Sequence, residues 1–256
     1  MKLSIIIPAY NEEKRIGRTL EDYCCFFCKK YKRNVEIIVV LNRCIDNTLK
    51  IVKKYAKRHS QIKYLNLNKS GKGFAIIEGF KIARGDLIGF TDADDSTSAG
   101  EFNKLTEKIN GLDGIIASRY VKGAVTNPKQ PLQRIIVSRI GNLIIRLLFH
   151  LKIKDTQCGA KLFRKNTVKK VLPSLGVIEW GFDIDLLYRI KKNNFKIKEA
   201  PILWKEGGGS KLKIGKASLQ TFFAVIRLRL LYSPFKFIIR AYGLLPENIK
   251  FHHKIK

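Results

Sequence analysis

Two aspartates separated by one residue, Asp92 and Asp94, carry the most specific chemistry in this 256-residue chain. They follow an apolar run at residues 87–90, so we expect them at the carboxyl end of a short buried strand. In open α/β sheets, ligands bind at that edge. Their carboxylates, with the hydroxyl of Ser96, suit a hard divalent ion such as Mg²⁺ or Mn²⁺. The pattern predicts metal-assisted handling of a nucleotide diphosphate, and a solvated acidic loop is the alternative.

The elements that must position these aspartates follow from apolar runs that alternate with helical patterns. Predicted strands lie at residues 3–8, 35–41, 62–67, 87–90 and 114–118. Predicted helices lie at residues 46–58, 71–83, 135–151 and 219–230, and Asn11 is expected to cap a helix after the first strand. Strands that alternate with helices predict an α/β fold with a mostly parallel sheet and right-handed crossovers.

The positive charge of the chain is concentrated outside its first half. The formal net charge is +29, yet residues 1–118 carry 21 basic and 14 acidic residues. Residues 119–170 carry 13 basic residues and a single acid, Asp155. This distribution predicts an anionic partner, which is a nucleic acid, an anionic lipid or a phosphorylated substrate. A general solubility role is the alternative.

Apolar runs and cysteines indicate the compartment. No run of about 18 uncharged apolar residues exists, so no spanning helix is expected, and the apolar start is too short for a signal peptide. Five cysteines, an odd number, favour a reducing compartment. Cys25 and Cys28 have the spacing of metal ligands, but without a second Cys/His pair we interpret them as helix packing.

The C-terminal segment, residues 213–256, combines an apolar stripe that includes aromatic residues with basic residues. Such a helix lies in a membrane interface, or else packs on its own sheet. We therefore expect a peripheral protein on the cytoplasmic face of a membrane, bound to an anionic lipid surface.

Seven motifs occur in a fixed order along the chain. They are Pro8-Ala9-Tyr10-Asn11-Glu12, Asp46-Asn47-Thr48, Gly71-Lys72-Gly73, Asp92-Ala93-Asp94, Ser118-Arg119-Tyr120, Asp155-Thr156-Gln157-Cys158-Gly159 and Trp180-Gly181-Phe182-Asp183-Ile184-Asp185. This series resembles glycosyltransferase family 2, which has the GT-A fold. Within that family it is most similar to the polyprenyl-phosphate sugar transferases, the dolichyl-phosphate mannose or glucose synthases. The resemblance covers about residues 1–212.

The resemblance implies roles for residues of the donor half, residues 1–118. The residues implied to bind the nucleotide-sugar are Pro8, Tyr10, Glu12, Asn42, Lys72 and Asp92. Asn42 stands where the family usually has an acidic residue. Because an amide carries no charge, the identity of the nucleotide's base stays open. Asp94, Asp183 and Asp185 are implied as catalytic carboxylates, and the sequence does not decide which of the last two acts as a base or positioning group.

The resemblance also implies an acceptor half, residues 119–212, within the same GT-A domain. It places Arg119, Arg134 and Ser138 around a lipid phosphate, and positions 134 and 138 share one helix face. The fork of an arginine donates two charge-assisted bonds to phosphate. The glycine-rich segment at residues 207–209 is expected to form a loop over the donor, with Ser210 or Lys211 reaching phosphate.

The predicted function is inverting transfer of a hexose from a nucleotide-sugar, of the GDP-mannose or UDP-glucose type, to a polyprenyl or dolichyl phosphate. A family 2 transferase that acts on a glycan or another hydroxyl is the first alternative. A basic nucleic-acid-binding protein is the second, although it leaves the paired acids unexplained. No nucleic-acid partner is expected under the first interpretation.

Overall fold

A computed structural model of the chain describes residues 2–128, 131–176, 181–205, 214–235 and 237. The strands of this part are β1 Leu3–Ala9, β2 Val35–Asn42, β3 Ile62–Leu67, β4 Leu87–Phe90, β5 Gly114–Ser118, β6 Val125–Asn127, β7 Lys161–Arg164, β8 Ile197–Pro201 and β9 Leu203–Lys205. The helices are α1 Ile16–Tyr23, α2 Lys29–Tyr31, α3 Thr48–Arg58, α4 Lys72–Ile82, α5 Ala99–Lys108, α6 Leu132–Phe149, α7 Lys165–Val171, α8 Phe182–Lys192 and α9 Ile214–Leu231.

Seven strands form one sheet in the order β3-β2-β1-β4-β7-β5-β8, and β6 pairs with β9 in a second, two-stranded sheet. All neighbours in the large sheet are parallel except β7, which runs antiparallel to both β4 and β5. Because β7 and β8 come from the part of the chain after residue 118, the donor and acceptor halves share one sheet. The predicted mostly parallel α/β sheet is confirmed.

The central strands are buried on both faces, which explains their continuous apolar sequences. Every residue of β1 and β2 is buried. Helices α1, α3 and α5 cover one face, and α4, α7 and α8 cover the other. A third apolar cluster joins α6, α8 and α9 beside β5. The two longest helices, α6 and α9, therefore lie at the acceptor end of the sheet.

Two local expectations differ from the structure. Asn11 does not cap α1, which begins only at Ile16; its side-chain carbonyl accepts a hydrogen bond from the Ile45 N–H at 2.9 Å instead. Asn11 has a φ of 53°, a left-handed conformation that asparagine tolerates. Its side chain therefore joins the ends of β1 and β2 rather than beginning a helix.

The second difference concerns α3, which begins at Thr48 rather than at residue 46. The Asp46 carboxylate accepts hydrogen bonds from the backbone and hydroxyl of Thr48 in the turn before the helix. Short polar side chains offer such local bonds in competition with the helix. None of the helices in the described ranges has the length and apolar character needed to cross a bilayer.

Candidate active site

Predicted donor-side residues converge at the carboxyl ends of three neighbouring parallel strands. β1 lies between β2 and β4, so their carboxyl ends meet at one edge of the sheet. Tyr10 follows β1, Asn42 ends β2, and Asp92 follows β4 after one residue. The edge that the sequence predicted for ligand binding is therefore where the aspartates lie.

Asp92 forms an ion pair with Lys72, the first residue of α4, with 2.5 Å between Oδ1 and Nζ. Burial disfavours both charges, but their mutual attraction outweighs it, which lowers the pKa of Asp92 and raises the pKa of Lys72. Both groups are therefore charged at neutral pH. About a third of the Asp92 side chain is exposed, at 31%, so its carboxylate faces solvent at the sheet edge.

The glycines on either side of Lys72 each have a structural reason. Gly71 has a φ of 126°, a conformation that residues with a Cβ rarely adopt. A Cβ on Gly73 would lie 2.5 Å from the Cβ of Phe182. The two glycines thus fix the turn into α4 and its close packing on α8, and this placement delivers Lys72 to Asp92.

Asp94 lies in the turn after β4, and one of its oxygens accepts a hydrogen bond from the Ser96 backbone N–H at 3.1 Å. Its other oxygen lies 4.0 Å from Nη1 of Arg15. Arg15 is in turn held by Glu12 through two hydrogen bonds of 2.6 and 2.7 Å. Sequence reasoning missed Arg15, because a lone arginine near a helix start carries no distinguishing pattern.

Asp183 joins this region through Lys161, a lysine on β7 whose side chain is fully buried. The ammonium of Lys161 contacts Asp183 Oδ1 and the Cys158 carbonyl, each at 2.5 Å. Asp183 is itself 13% exposed. A buried lysine requires an acidic partner, so Asp183 is held in one orientation at the start of α8.

Asp185, the other candidate at this motif, has a different environment. Its side chain is fully buried and accepts hydrogen bonds from the Gly176 N–H, from Arg189 and from the hydroxyl of Tyr232. The contact with Tyr232 ties α8 to the residue that follows α9. The geometry therefore favours Asp183 over Asp185 as the carboxylate that faces a substrate.

The residues predicted to contact the nucleotide are unequally accessible. Tyr10 is 53% exposed at the sheet edge, so its ring is free to stack on a base. Pro8 is buried within β1 beside Val40. Asn42 is buried, and with its amide oriented to satisfy both neighbours it bridges the Ala9 carbonyl and the Gly71 N–H. Asn42 therefore supports the turn before Lys72 with its own polar atoms.

Three further predicted ligands, Ser96, Ser210 and Lys211, have less direct support. Ser96 is buried, and its backbone carbonyl accepts a hydrogen bond from the Lys205 N–H. Its place as a third metal ligand stays a prediction. Lys211 and Ser210 lie outside the described residues.

Two of the predicted acceptor residues, Arg119 and Ser138, are each held by a neighbouring side chain. The guanidinium of Arg119 forks onto the fully buried Asp155, with Nε and Nη2 bonds of 2.8 and 2.9 Å. The hydroxyls of Tyr120 and Ser138 are 2.6 Å apart. Arg134 lies one turn before Ser138 on α6. Two of the nitrogens of Arg119 thus hold Asp155, and a phosphate would meet only its remaining N–H groups.

A cationic pocket lies beside Ser138 and contains residues that the sequence did not assign. It has a volume of about 290 Å³ and is lined by Tyr120, Arg139, Asn142, Leu143, Arg146 and Lys154. The Nε of Arg146 is buried without a hydrogen-bond partner in the described part of the chain. Three cations and no acid line this pocket, which therefore suits an anion.

Asn142 explains why the pocket has a fixed wall. Its side-chain carbonyl accepts two hydrogen bonds from Thr156, and its amide donates to the Ser138 carbonyl. The loop after α6 is thereby held against the helix. The sequence signal for the pocket was the stripe of polar residues at positions 139, 142 and 146 among the apolar residues of α6.

The donor set at the sheet edge fits a hard divalent ion. Asp92 and Asp94 offer carboxylate oxygens from one turn, and both side chains are partly exposed, at 31% and 26%. Oxygen ligands with open positions for water are what Mg²⁺ and Mn²⁺ prefer. Lys72 and Arg15 balance the negative charge of the two aspartates, as a bound cation would.

Residues 4–172 match the family model described as glycosyl transferase family 2. The chain belongs to glycosyltransferase family 2. It is therefore a glycosyltransferase. Membership of this family favours an enzyme over the alternative of a nucleic-acid-binding protein. The predicted GT-A fold is confirmed as well.

Three curated relatives of this family 2 glycosyltransferase have the same description. A dolichyl-phosphate beta-glucosyltransferase of Trichomonas vaginalis is 37% identical, and the alignment covers 82% of this chain and 66% of the relative. The enzymes of the same description from Dictyostelium discoideum and Homo sapiens are 32% and 31% identical, each over 90% of this chain and over 74% and 76% of the relative. The chain thus spans two thirds to three quarters of their lengths.

Solved structures of other glycosyltransferases have the same fold. Glucosyl-3-phosphoglycerate synthase of Mycobacterium tuberculosis, crystallised with Mn²⁺, UDP and its product, matches with a TM-score of 0.68 at 15% identity, over 89% of this chain and 79% of that chain. Staphylococcus aureus TarS matches with a TM-score of 0.59 at 21% identity, over 91% and 66%. At such identities the likeness concerns the fold.

Proposed function

We propose that this glycosyltransferase moves glucose from UDP-glucose to a polyprenyl phosphate of the dolichyl type. The relatives described as dolichyl-phosphate beta-glucosyltransferases support both the sugar and the acceptor class. They favour glucose over the mannose that the sequence left open. A structural neighbour with bound UDP and Mn²⁺ supports the uridine nucleotide.

The turn after β4 that carries Asp92 and Asp94, here called the acidic turn, is the proposed binding site for the donor diphosphate and its divalent ion. Asp92 and Asp94 would hold the ion, which when bound supplies charge neutralisation for the leaving diphosphate. Mg²⁺ and Mn²⁺ both suit this donor set. Lys72 stands at the amino end of α4, where backbone N–H groups and the helix dipole also favour a phosphate. Tyr10 offers its exposed ring to the base.

The cationic pocket beside α6 is the observation that carries the acceptor class. Arg139, Arg146 and Lys154 supply positive charge without an acid in its lining. The same helix exposes a row of large apolar side chains, which are Leu132, Ile136, Val137, Ile140, Leu143 and Leu147. A pocket for an anion beside an apolar helix face fits a ligand with a phosphate head and a hydrocarbon tail.

The mechanism requires little help from a base. A phosphate monoester is already anionic near neutral pH, so its oxygen attacks the anomeric carbon while the bond to the diphosphate oxygen breaks, with inversion. The protein must align these atoms and neutralise the leaving charge. Lys72 contributes a cation on the donor side, and Asp183, fixed by Lys161, is placed to orient the sugar.

The pocket assignment predicts the kinetics of the double variant Arg139→Met/Lys154→Met. Each lost charge-assisted contact is worth about 1.5–3 kcal/mol, so we expect kcat/KM for dolichyl phosphate to fall by about tenfold to over a hundredfold for each contact. The affinity for UDP-glucose is expected to stay unchanged, because the pocket is lined by α6 and the proposed donor site lies at Asp92 and Asp94 after β4. The measurements are transfer kinetics and calorimetry with UDP-glucose.

A matched control is Lys152→Met, since Lys152 is an exposed lysine two residues before Lys154 and does not line the pocket. It should retain full activity. Dolichol without phosphate should not act as an acceptor. Normal kinetics of the double variant, or equal transfer to dolichol, would contradict the phosphate assignment and favour a hydroxyl acceptor.

We further propose that α6 and α9 rest on an anionic membrane surface from which the acceptor is taken. Phe222, Phe223 and Ile226 of α9 are exposed, and Arg227 and Arg229 lie on the same helix. Basic residues near an anionic bilayer contribute about 1 kcal/mol each. The cytoplasmic side of the membrane stays a prediction, and the tail beyond residue 237 lies outside the described residues.

Substitution of apolar side chains on α6 is expected to weaken membrane binding. Ile140 and Leu147 are 53% and 65% exposed, and burial of such a side chain contributes about 1.5–3 kcal/mol. Ile140→Ser/Leu147→Ser should therefore remain in solution when vesicles of phosphatidylcholine and phosphatidylserine are floated. Ile45→Ser, at an exposed isoleucine in the donor half, is the control and should float like the unchanged protein. Equal flotation of both variants would remove α6 from the membrane surface.

A further inference from the structure

Three potential metal ligands outside the active site come together from two separate elements. They are the thiols of Cys24 and Cys28 and the imidazole of His59, and their ligand atoms all lie within 4.8 Å of one another. The spacing of Cys25 and Cys28 in the sequence was interpreted as helix packing. In the structure Cys25 is exposed, whereas Cys24 is buried and faces Cys28 and His59.

The backbone explains why these two cysteines share a face. After α1 the chain continues as a π-helical turn over Cys24–Cys28. Such wider turns are rare in proteins, and those that are found often lie at functional sites. The turn leaves the sulfur atoms of Cys24 and Cys28 within 4.8 Å of each other, so the first and last residues of the turn present two sulfur atoms together.

His59 approaches from α3, which packs against α1. It is the residue that follows α3, and its N–H donates to the Tyr55 carbonyl at 2.9 Å. Its ring stacks on Tyr55, with 6.4 Å between ring centroids and 18° between ring planes. The Tyr55 hydroxyl donates to Glu21 of α1 at 3.0 Å. The imidazole is thus oriented by neighbours that also join the two helices.

We propose that Cys24, Cys28 and His59 bind a soft divalent metal ion such as Zn²⁺. Zinc takes sulfur at about 2.3 Å and imidazole nitrogen at about 2.0–2.1 Å in a tetrahedron, which brings neighbouring ligand atoms to within about 4 Å. Small rotations of the three side chains are enough to reach that spacing. Water or the nearby Glu21 carboxylate would complete the fourth position.

The chemistry of this cluster separates it from the acidic turn. Thiolates and imidazole select zinc-like ions, whereas carboxylates select Mg²⁺ or Mn²⁺. The two sites lie at opposite ends of α1, because Arg15 beside Asp94 precedes the helix and Cys24 follows it. With eight residues at about 1.5 Å each, the helix separates them by about 12 Å.

The bound metal ion is expected to link the end of α1 to the end of α3 and to take no part in catalysis. A metal that binds the folded chain stabilises it by mass action. The ion would hold the end of α1, the helix whose other end is preceded by Glu12 and Arg15. We expect metal binding to raise the melting temperature of the protein and to leave the rate of sugar transfer nearly unchanged.

The test uses Co²⁺ as a spectroscopic replacement for zinc. The full chain is purified under reducing conditions, stripped with a chelator and titrated with Co²⁺, which gives thiolate-to-cobalt charge-transfer absorption only when sulfur is bound. We expect one equivalent per chain. Cys28→Ser and His59→Gln should each weaken Co²⁺ binding by at least about 100-fold, since even an outer-shell substitution costs 10- to 100-fold.

Cys25→Ser is the matched control, because Cys25 lies in the same turn but outside the cluster. It should bind Co²⁺ like the unchanged protein, and Zn²⁺ should raise the melting temperature of both. No thiolate absorption in the unchanged protein would overturn the proposal. So would an unchanged Co²⁺ affinity of His59→Gln, or absorption that disappears in Cys25→Ser. His59→Gln alters a half-buried side chain at a helix end, so it tests the site without disturbing the core.

Discussion

Asp94→Asn is expected to lower the rate of sugar transfer by about 100- to 1000-fold while the protein stays folded. The asparagine keeps the side-chain oxygen that accepts the Ser96 N–H bond, so the turn is preserved. It removes the negative charge that the proposed divalent ion needs. Loss of one such electrostatic contribution at a reacting diphosphate costs roughly 3–4 kcal/mol. The measurements are kcat with UDP-glucose and dolichyl phosphate, and the melting temperature.

Asp95→Asn is the control for this prediction. Asp95 is the next residue and has a φ of 59°, which asparagine also tolerates, and it is not among the proposed metal ligands. Calorimetry should detect weaker Mn²⁺ binding in Asp94→Asn but not in Asp95→Asn. Full activity of Asp94→Asn, or of the unchanged enzyme in excess EDTA, would refute the role assigned to Asp94.

The donor half of the fold could be predicted because its signals are local. β3, β4 and β5 coincide with the predicted strands, and β1 and β2 are each one residue longer. β1, β2, β4 and β5 are largely apolar because helices cover both faces of the sheet, whereas β3 lies at its edge and exposes Lys63 and Tyr64. The position of Asp92 and Asp94 followed from the same reasoning, since a parallel strand must end at the ligand-binding edge.

The acceptor half was less predictable because its decisive contacts are distant in sequence. Lys161 in β7 carries a charge and therefore does not fit the pattern of a buried strand. It is buried only because Asp183, 22 residues later, meets its ammonium. β7 itself escaped prediction, since an antiparallel insertion between β4 and β5 has no local signature.

For Arg119 and Asp185, the role assigned from the sequence motif differs from the contacts in the structure. The family pattern assigned Arg119 to phosphate, and nothing local in the sequence predicts that the lone acid of its segment, Asp155, takes two of its nitrogens. Asp183 and Asp185 stand two residues apart on a helix, so they point about 200° apart around its axis. One faces Lys161 and the other faces α9, which a sequence motif does not distinguish.

Gly159→Ala is expected to disable the enzyme by displacing Asp92. A Cβ at position 159 would lie 2.5 Å from the carboxylate carbon of Asp92 and closer still to Oδ2, which real Cβ atoms do not tolerate. The loop that carries Gly159 is held at Asp155 by Arg119 and at Cys158 by Lys161. Asp92 must therefore rotate and lose its pair with Lys72. A displacement of about 1 Å can cost about 100-fold in rate.

The double variant Gly159→Ala/Asp92→Ala separates displacement from general loss of folding. Overpacking costs about 1–3 kcal/mol, so Gly159→Ala should melt at a lower temperature, and shortening Asp92 should restore the melting temperature without restoring transfer. Gly100→Ala is the control, because a Cβ there meets no heavy atom nearer than 4.0 Å. If Gly159→Ala kept normal transfer and Mn²⁺ affinity, the carboxylate of Asp92 would not need the position it occupies, and its role at the diphosphate would have to be abandoned.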